Sequence, residues 1–249
     1  MDAGKSKHCL NCGNIVEGNF CSNCGQSVHV SRINPKHVAE ELQYGLLHVN
    51  KGMIFTIKEL IINPGPTIKN YIGGKRVKYT KPFLFLIVIG LIYSLIFHFF
   101  HYFPMEEMNN HYTPIYDYIP LQHWYSAHYS LMLLCLIPFY SLSTYWFFRR
   151  QKYNYVEHLV LFSYLTGAKI FILLLFYPAI YLTRSAHLYQ IVQLVSEAYL
   201  IWGLVQFFKT TSWMRSVLKV ISCIILVLVI LLVLVYLLYL MLRYYDLRL

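Results

Sequence analysis

Four cysteines in two matched pairs, Cys9-Leu10-Asn11-Cys12-Gly13 and Cys21-Ser22-Asn23-Cys24-Gly25, are the residues of this chain best placed to do chemistry. Two residues separate the thiols of each pair and eight separate the pairs, a spacing at which four thiolates can surround one tetrahedral zinc ion. The glycine after each pair can supply the turn that aims backbone N–H groups at the sulfurs. A pair of disulfides is the competing reading. It requires an oxidising compartment, whereas Met1 to Gln26 is polar and glycine-dotted and has no signal-peptide pattern. The expectation is a structural zinc on Cys9, Cys12, Cys21 and Cys24, because four sulfurs close the coordination sphere to water and substrate. So small a segment buries little, and metal binding would drive its folding.

Two ionisable residues, Lys169 and Glu197, lie inside long apolar runs. At about 1.5 Å per residue they fall roughly 18 and 14 Å from the outer ends of their helices, a difference that a lysine stem covers. A five-residue link, Thr183 to His187, makes those helices an antiparallel pair, so Lys169 and Glu197 are expected to be ion-pair partners. Gln190, Gln193 and Glu197 fall at i, i+3 and i+7 and give the second helix one polar stripe. The pair reads either as a buried clamp between helices or as part of an ion, proton or lipid pathway.

Histidine is the third group. His98, His101, His111, His123 and His128 fall within 31 residues, with Glu106, Glu107 and Asp117 among them. A metal set is one reading. The other is an aromatic interfacial belt with histidine as a half-polar partner, favoured by Tyr102, Tyr112, Tyr116, Tyr118, Trp124, Tyr125 and Tyr129 and by the lack of any HExxH or GxSxG frame. Glu157-His158 reads as a helix N-terminal cap or as an acid–base pair.

The elements that must carry these residues are membrane spans. The chain is 57% hydrophobic and only 13% charged, and its mean hydropathy is +0.48, which excludes an ordinary soluble domain and a disordered chain. Five runs approach the roughly 20 residues that cross a bilayer: 83–100, 130–148, 158–182, 188–208 and 220–242. None alternates with a period of two, so a β-barrel is excluded. The fold class expected is an all-α polytopic membrane protein, with a five-helix bundle over 83–249, a zinc ribbon over 1–30, and interfacial helices with a polybasic segment over 31–82. Cys135 and Cys223 lie within apolar runs and read as small buried hydrophobes.

Lys and Arg set the orientation. They crowd the stretch before the first span, recur at Arg149, Arg150 and Lys152, and again at Lys209, Arg215 and Lys219; the loop from His101 to Tyr129 has none. The alternation puts the N-terminus inside, where the thiols stay reduced, and the C-terminus outside. Arg243 and Arg248 dissent, but the long uncharged fifth span can insert against them. The net charge of +10 then belongs to topology and anionic lipid. Lys5, Lys7 and Arg32 make too thin a basic patch to point to nucleic acid.

Between the ribbon and the first span, Lys36 to Ile62 has a helical pattern with Val38, Leu42, Leu46 and Val49 on one face, broken near Gly52 and ended by Asn63-Pro64-Gly65-Pro66. It is too short and too charged to span, and fits either the inner membrane surface or the end of the bundle. Lys69, Lys75, Arg76, Lys78 and Lys81 give five cations in thirteen residues, with no acid between Glu59 and Glu106. They read as the orienting anchor of the first span or as a contact for anionic lipid headgroups.

The strings Phe20-Cys21-x-x-Cys24-Gly25-Gln26, Arg32-Ile33, Asn63-Pro64-Gly65, Tyr71-Ile72-Gly73-Gly74-Lys75-Arg76, Tyr79, Lys81-Pro82-Phe83 and Tyr155-Val156-Glu157-His158 resemble an uncharacterised membrane family common in Bacteroidota. The resemblance implies a small zinc ribbon joined to an integral membrane domain, and implies no activity. By topology alone the chain is also similar to Yip1-type five-span proteins. No catalytic frame is present, so the expected function is that of a non-enzymatic channel, carrier or lipid-handling bundle, with the ribbon as a docking or assembly module for a cytosolic protein and the bundle as a homo-oligomer. The alternatives are a membrane-embedded enzyme acting on a lipid-linked substrate through the outer histidine loop, and a zinc-ribbon scaffold.

Overall fold

The computed structural model describes residues 7–35, 52–100, 128–209 and 213–246. Strands β1 (Lys7–His8) and β2 (Ile15–Val16) pair antiparallel, Lys7 opposite Val16. Seven helices follow within the described residues: α1 (Gly52–Ile62), α2 (Pro64–Ile72), α3 (Pro82–Phe100), α4 (Tyr129–Phe147), α5 (Tyr155–Thr183), α6 (Ala186–Phe207) and α7 (Trp213–Asp246), with a 3₁₀ turn, Arg149–Gln151, between α4 and α5. Helices α3 to α7 are each long and apolar enough to cross a membrane. The molecule is thus an all-α bundle of five candidate spans behind a small cysteine-rich ribbon.

Helix α5 is the axis of the bundle. It packs on α3, α4 and α6, and 67% of its most apolar window is buried, against 17% for α7, which lies along α4 and α6 at the edge. Its sequence is apolar all round, as a helix enclosed by others must be. Its start at Tyr155, rather than at 158, follows from a capping box: Asn154 Oδ1 accepts the Glu157 N–H at 2.8 Å and Glu157 Oε2 accepts the Asn154 N–H at 2.7 Å. Helix α7 starts at Trp213 rather than at 220, so Arg215 and Lys219 are part of it.

Asn63-Pro64-Gly65-Pro66 is not a loop. The helix before it ends at Ile62, and the prolines open a new helix, α2, in whose first turn their missing N–H groups cost nothing. Of the two placements open to this segment, the end of the bundle is the one seen. Leu60, Ile68 and Tyr71 are fully buried, α2 lies against α6, and the Tyr199 hydroxyl donates to the Leu60 carbonyl at 3.0 Å. The connection to α3 is fastened by Thr80, whose N–H donates to Thr56 Oγ1 at 2.8 Å and whose carbonyl accepts from the Tyr164 hydroxyl at 2.6 Å. Ile54, 80% exposed, stands on the opposite face of α1. The segment with Val38, Leu42, Leu46 and Val49 lies outside the described residues, as do His101, His111, His123, Glu106, Glu107 and Asp117.

Candidate metal centre and mid-span ion pair

Cys9, Cys12, Cys21 and Cys24 have their sulfurs within 4.8 Å of one another, the one such cluster of possible metal ligands among the described residues. Two turns of the same design present them. The Cys9 N–H reaches the Asn14 carbonyl and the Gly13 N–H the Cys9 carbonyl; the Cys21 N–H reaches the Gln26 carbonyl and the Gly25 N–H the Cys21 carbonyl, all at 2.8 Å. Both turns need φ near +80° and +74°, at Gly13 and Gly25, where a side chain would be strained. All six cysteines are free thiols. Cys9 to Cys24 and Cys12 to Cys21 are 3.5 Å apart between sulfurs, close to the edge of about 3.8 Å expected for a tetrahedron of 2.3 Å metal–sulfur bonds.

The electrostatics suit a cation. The Gln26 backbone N–H draws the Cys24 thiol down to about 6, and that of Asn14 lowers Cys12. The Cys24 N–H favours the Cys21 thiolate, yet burial and the neighbouring thiols leave Cys21 at about 11. Four crowded sulfurs therefore cannot all ionise without a positive ion among them. The donor set can hold one metal ion and leaves it no open position, which is the design of a structural site.

The ribbon is clamped to the bundle. Gln26, two residues past the last cysteine, is buried; its Nε2 donates to the Gly74 carbonyl at 2.8 Å and its Oε1 accepts the Arg76 N–H at 3.1 Å. Gly74 has φ +105°, a conformation that would strain a side chain, and it packs against Leu10 and Val30 of the ribbon segment. Arg76 Nη2 donates to the Ser31 carbonyl at 3.0 Å. A second clamp follows at once: Arg32 Nε and Nη2 each donate to a Glu157 carboxylate oxygen at 2.8 Å, and Nη2 also reaches the Lys152 carbonyl. Asn154 Nδ2 donates to the Ile33 carbonyl at 2.9 Å. The bidentate pair holds the Arg32 guanidinium above its usual range.

Glu157 is thus the cap of α5 and the partner of Arg32, and it makes no acid–base pair with His158. His158 is buried, with Nδ1 2.9 Å from Thr144 Oγ1, while its Nε2 has no hydrogen-bond partner. Glu157 is expected as a cap of α5, and the structure has it there; its ion pair with Arg32 and the clamp roles of Gln26, Arg32 and Asn154 are what the sequence did not indicate. Their partners lie 48 to 125 residues away in sequence, so no local periodicity could reveal them. The available signal was that several of the resembling strings hold Gln26, Arg32, Gly74, Arg76 and Glu157, which meet at this interface.

Away from the ribbon, near the middle of α5 and α6, Lys169 Nζ donates to Glu197 Oε1. The Lys169 side chain is 5% exposed and that of Glu197 is 53% exposed, so the pair opens towards the flank of α6. Lys169 Nζ also lies 6.0 Å from the centre of the Tyr129 ring. The stripe continues outward through Gln193, whose Oε1 accepts the Tyr129 hydroxyl at 3.4 Å and whose Nε2 donates to the Tyr189 hydroxyl at 2.8 Å. Gln190 is exposed on the same helix.

Of the basic group, Lys75 and Lys78 are exposed, Lys81 is half-buried, and Arg76 is engaged by the ribbon tether. Lys69 lies 5.7 Å from the centre of the Phe207 ring, and burial and the nearby Lys209 lower its pKa.

These features define a multi-pass membrane protein with five candidate spans and a four-cysteine metal-binding ribbon. A family model described as a protein of unknown function (DUF3667) matches residues 50–94, which cover α1, α2, the basic loop and much of α3. No curated protein and no solved structure matches the chain.

Proposed function

We propose that this chain is a non-enzymatic lipid-handling protein of the bacterial cytoplasmic membrane, with a cytosolic N-terminus and an outside C-terminus. Its zinc ribbon is a docking and assembly module. The observation that carries the reading is the asymmetry of the mid-span pair: a buried lysine held against a carboxylate that is open to the flank. A monomeric channel would line its own interior with such groups. A pair open sideways suits the polar part of a membrane-borne ligand that enters between helices, or a second copy of the chain closing over the seam. The likeness to a Bacteroidota membrane family is compatible with this and adds no activity.

The basic residues at the ribbon end, Lys75, Lys78, Lys81, Arg149, Arg150 and Lys219, support an inside placement of that end and contact with anionic headgroups. Leu10, Ile15 and Phe20 are exposed apolar residues on the ribbon and favour a cytosolic protein partner there. The test is reconstitution of purified protein in vesicles carrying a fluorescent phospholipid. Transbilayer movement should exceed that of empty vesicles and fall to background with Lys169→Met, Glu197→Gln, while the double variant still folds. Movement unaffected by the double variant would refute the seam as the site. Elemental analysis should find one zinc per chain, and none in Cys21→Ser.

A further inference from the structure

We infer that the slot between α4 and α7 seats one anionic phospholipid of the leaflet on the ribbon's side. This rests on α3 to α7 being membrane spans. The two helices are pinned together where Ser143 Oγ donates to the Cys223 carbonyl at 3.1 Å. Beside that bond lies a cavity of about 400 Å³ lined by Phe139, Leu142, Tyr145, Trp146, Val227 and Ile230. Its walls are apolar, and Trp146, 63% exposed, stands at the end of α4 where a membrane aromatic meets the headgroups.

The polar end of the slot is cationic. Lys219 Nζ lies 5.7 Å from the centre of the Phe148 ring and so marks the junction of α7 with the end of α4. Arg149 and Arg150 follow Phe148 directly, and Arg215 is one turn before Lys219 on α7. All four are exposed, and none has an ion-pair partner among the described residues. The one acid nearby in sequence, Glu157, is engaged by Arg32. From Lys219 to Ile230 the helix rises about 16 Å, which matches the roughly 15 Å of hydrocarbon in one leaflet. Cations, then aromatics, then an apolar slot one leaflet deep is the polarity profile of a phospholipid. Four exposed cations with no carboxylate paired to them among the described residues favour an anionic headgroup over a zwitterionic one.

The reporter is Trp146 in the full-length chain, with the other three tryptophans, Trp124, Trp202 and Trp213, replaced by Phe. The protein is placed in phosphatidylcholine vesicles containing phosphatidylglycerol, with brominated acyl chains on one lipid or the other. Brominated phosphatidylglycerol should quench Trp146 about fivefold more strongly per mole than brominated phosphatidylcholine. Arg149→Gln, Arg150→Gln and Lys219→Gln together should abolish the difference. Val227→Phe, which fills the slot and leaves the charges intact, should do the same. Equal quenching of the parent protein by both lipids would overturn the proposal. So would shielding from both lipids with Leu142→Cys forming a disulfide between copies, because a second chain would then occupy the slot. If neither lipid quenches and alkaline carbonate releases the protein from the vesicles, the membrane-span reading fails as well; carbonate resistance with equal quenching fails the lipid site alone. Should the Trp variants not fold, native mass spectrometry of the unaltered chain from mixed-lipid nanodiscs decides the point: retained phosphatidylglycerol supports the site, and no preference refutes it.

Discussion

Lys169 and Glu197 differ in what each leaves behind when the other is removed. Glu197→Gln strands a fully buried ammonium, whereas Lys169→Met strands a carboxylate that is half exposed. The first should therefore cost about 3 kcal/mol and the second about 1 kcal/mol, with the double variant less destabilised than Glu197→Gln alone. Thermal unfolding of the purified variants in one detergent measures the cycle, and equal losses for the two single variants would argue against this asymmetry. Depth along the helices was readable from the sequence, since residue counts and a short link bring the two side chains to one level, although the link is Arg184-Ser185 rather than Thr183 to His187. Exposure was not readable, because the neighbours of α6 come from elements far away in sequence.

At the scale of elements, the start of α5 carries two loads. Asn154 caps the helix and also holds the Ile33 carbonyl of the tether. Asn154→Ala should cost about 1–2 kcal/mol and should loosen the tether with the helix start, seen as faster amide exchange at both 31–34 and 155–158. Exchange rising only within α5 would mean that the tether does not depend on this cap. Arg32→Lys should lose most of the clamp despite keeping the charge, because a lysine cannot make the bidentate contact with Glu157. Heat stability close to that of Arg32→Ala, rather than the parent, is the expected result.

The five spans and the Glu157 cap were legible in the sequence because apolar runs and capping are local, whereas the starts of α5 and α7 lie three and seven residues earlier than the apolar runs indicate. The double CxxC pattern was legible because metal geometry demands that spacing. Three things were not. The Pro-Gly-Pro string reads as a terminator until it is seen that a helix can begin where another ends. Arg76, one cation in a run, gave no sign that its N–H and guanidinium face the ribbon. Gln26 is an ordinary polar residue until Gly74 is brought to it from 48 residues away.

For the whole molecule, the ribbon and the bundle form one structure joined at two places, and the metal site lies two residues from the first of them. The Gln26 carbonyl and N–H belong to the second cysteine turn, and its side chain holds Gly74 and Arg76. Metal binding should therefore be felt beyond the ribbon, although the spans, held by their own packing around α5, should persist without it. Helical content by circular dichroism should change little on chelation.

Amide hydrogen exchange on the full chain in nanodiscs, with and without a zinc chelator, tests this coupling most directly. Chelation should strip protection from residues 7–35 and, together with them, from 74–76 and 154–157, while the middle of α5 around Lys169 stays protected. Loss confined to residues 7–35, or no change at all on metal removal, would contradict a metal-folded ribbon clamped to the bundle.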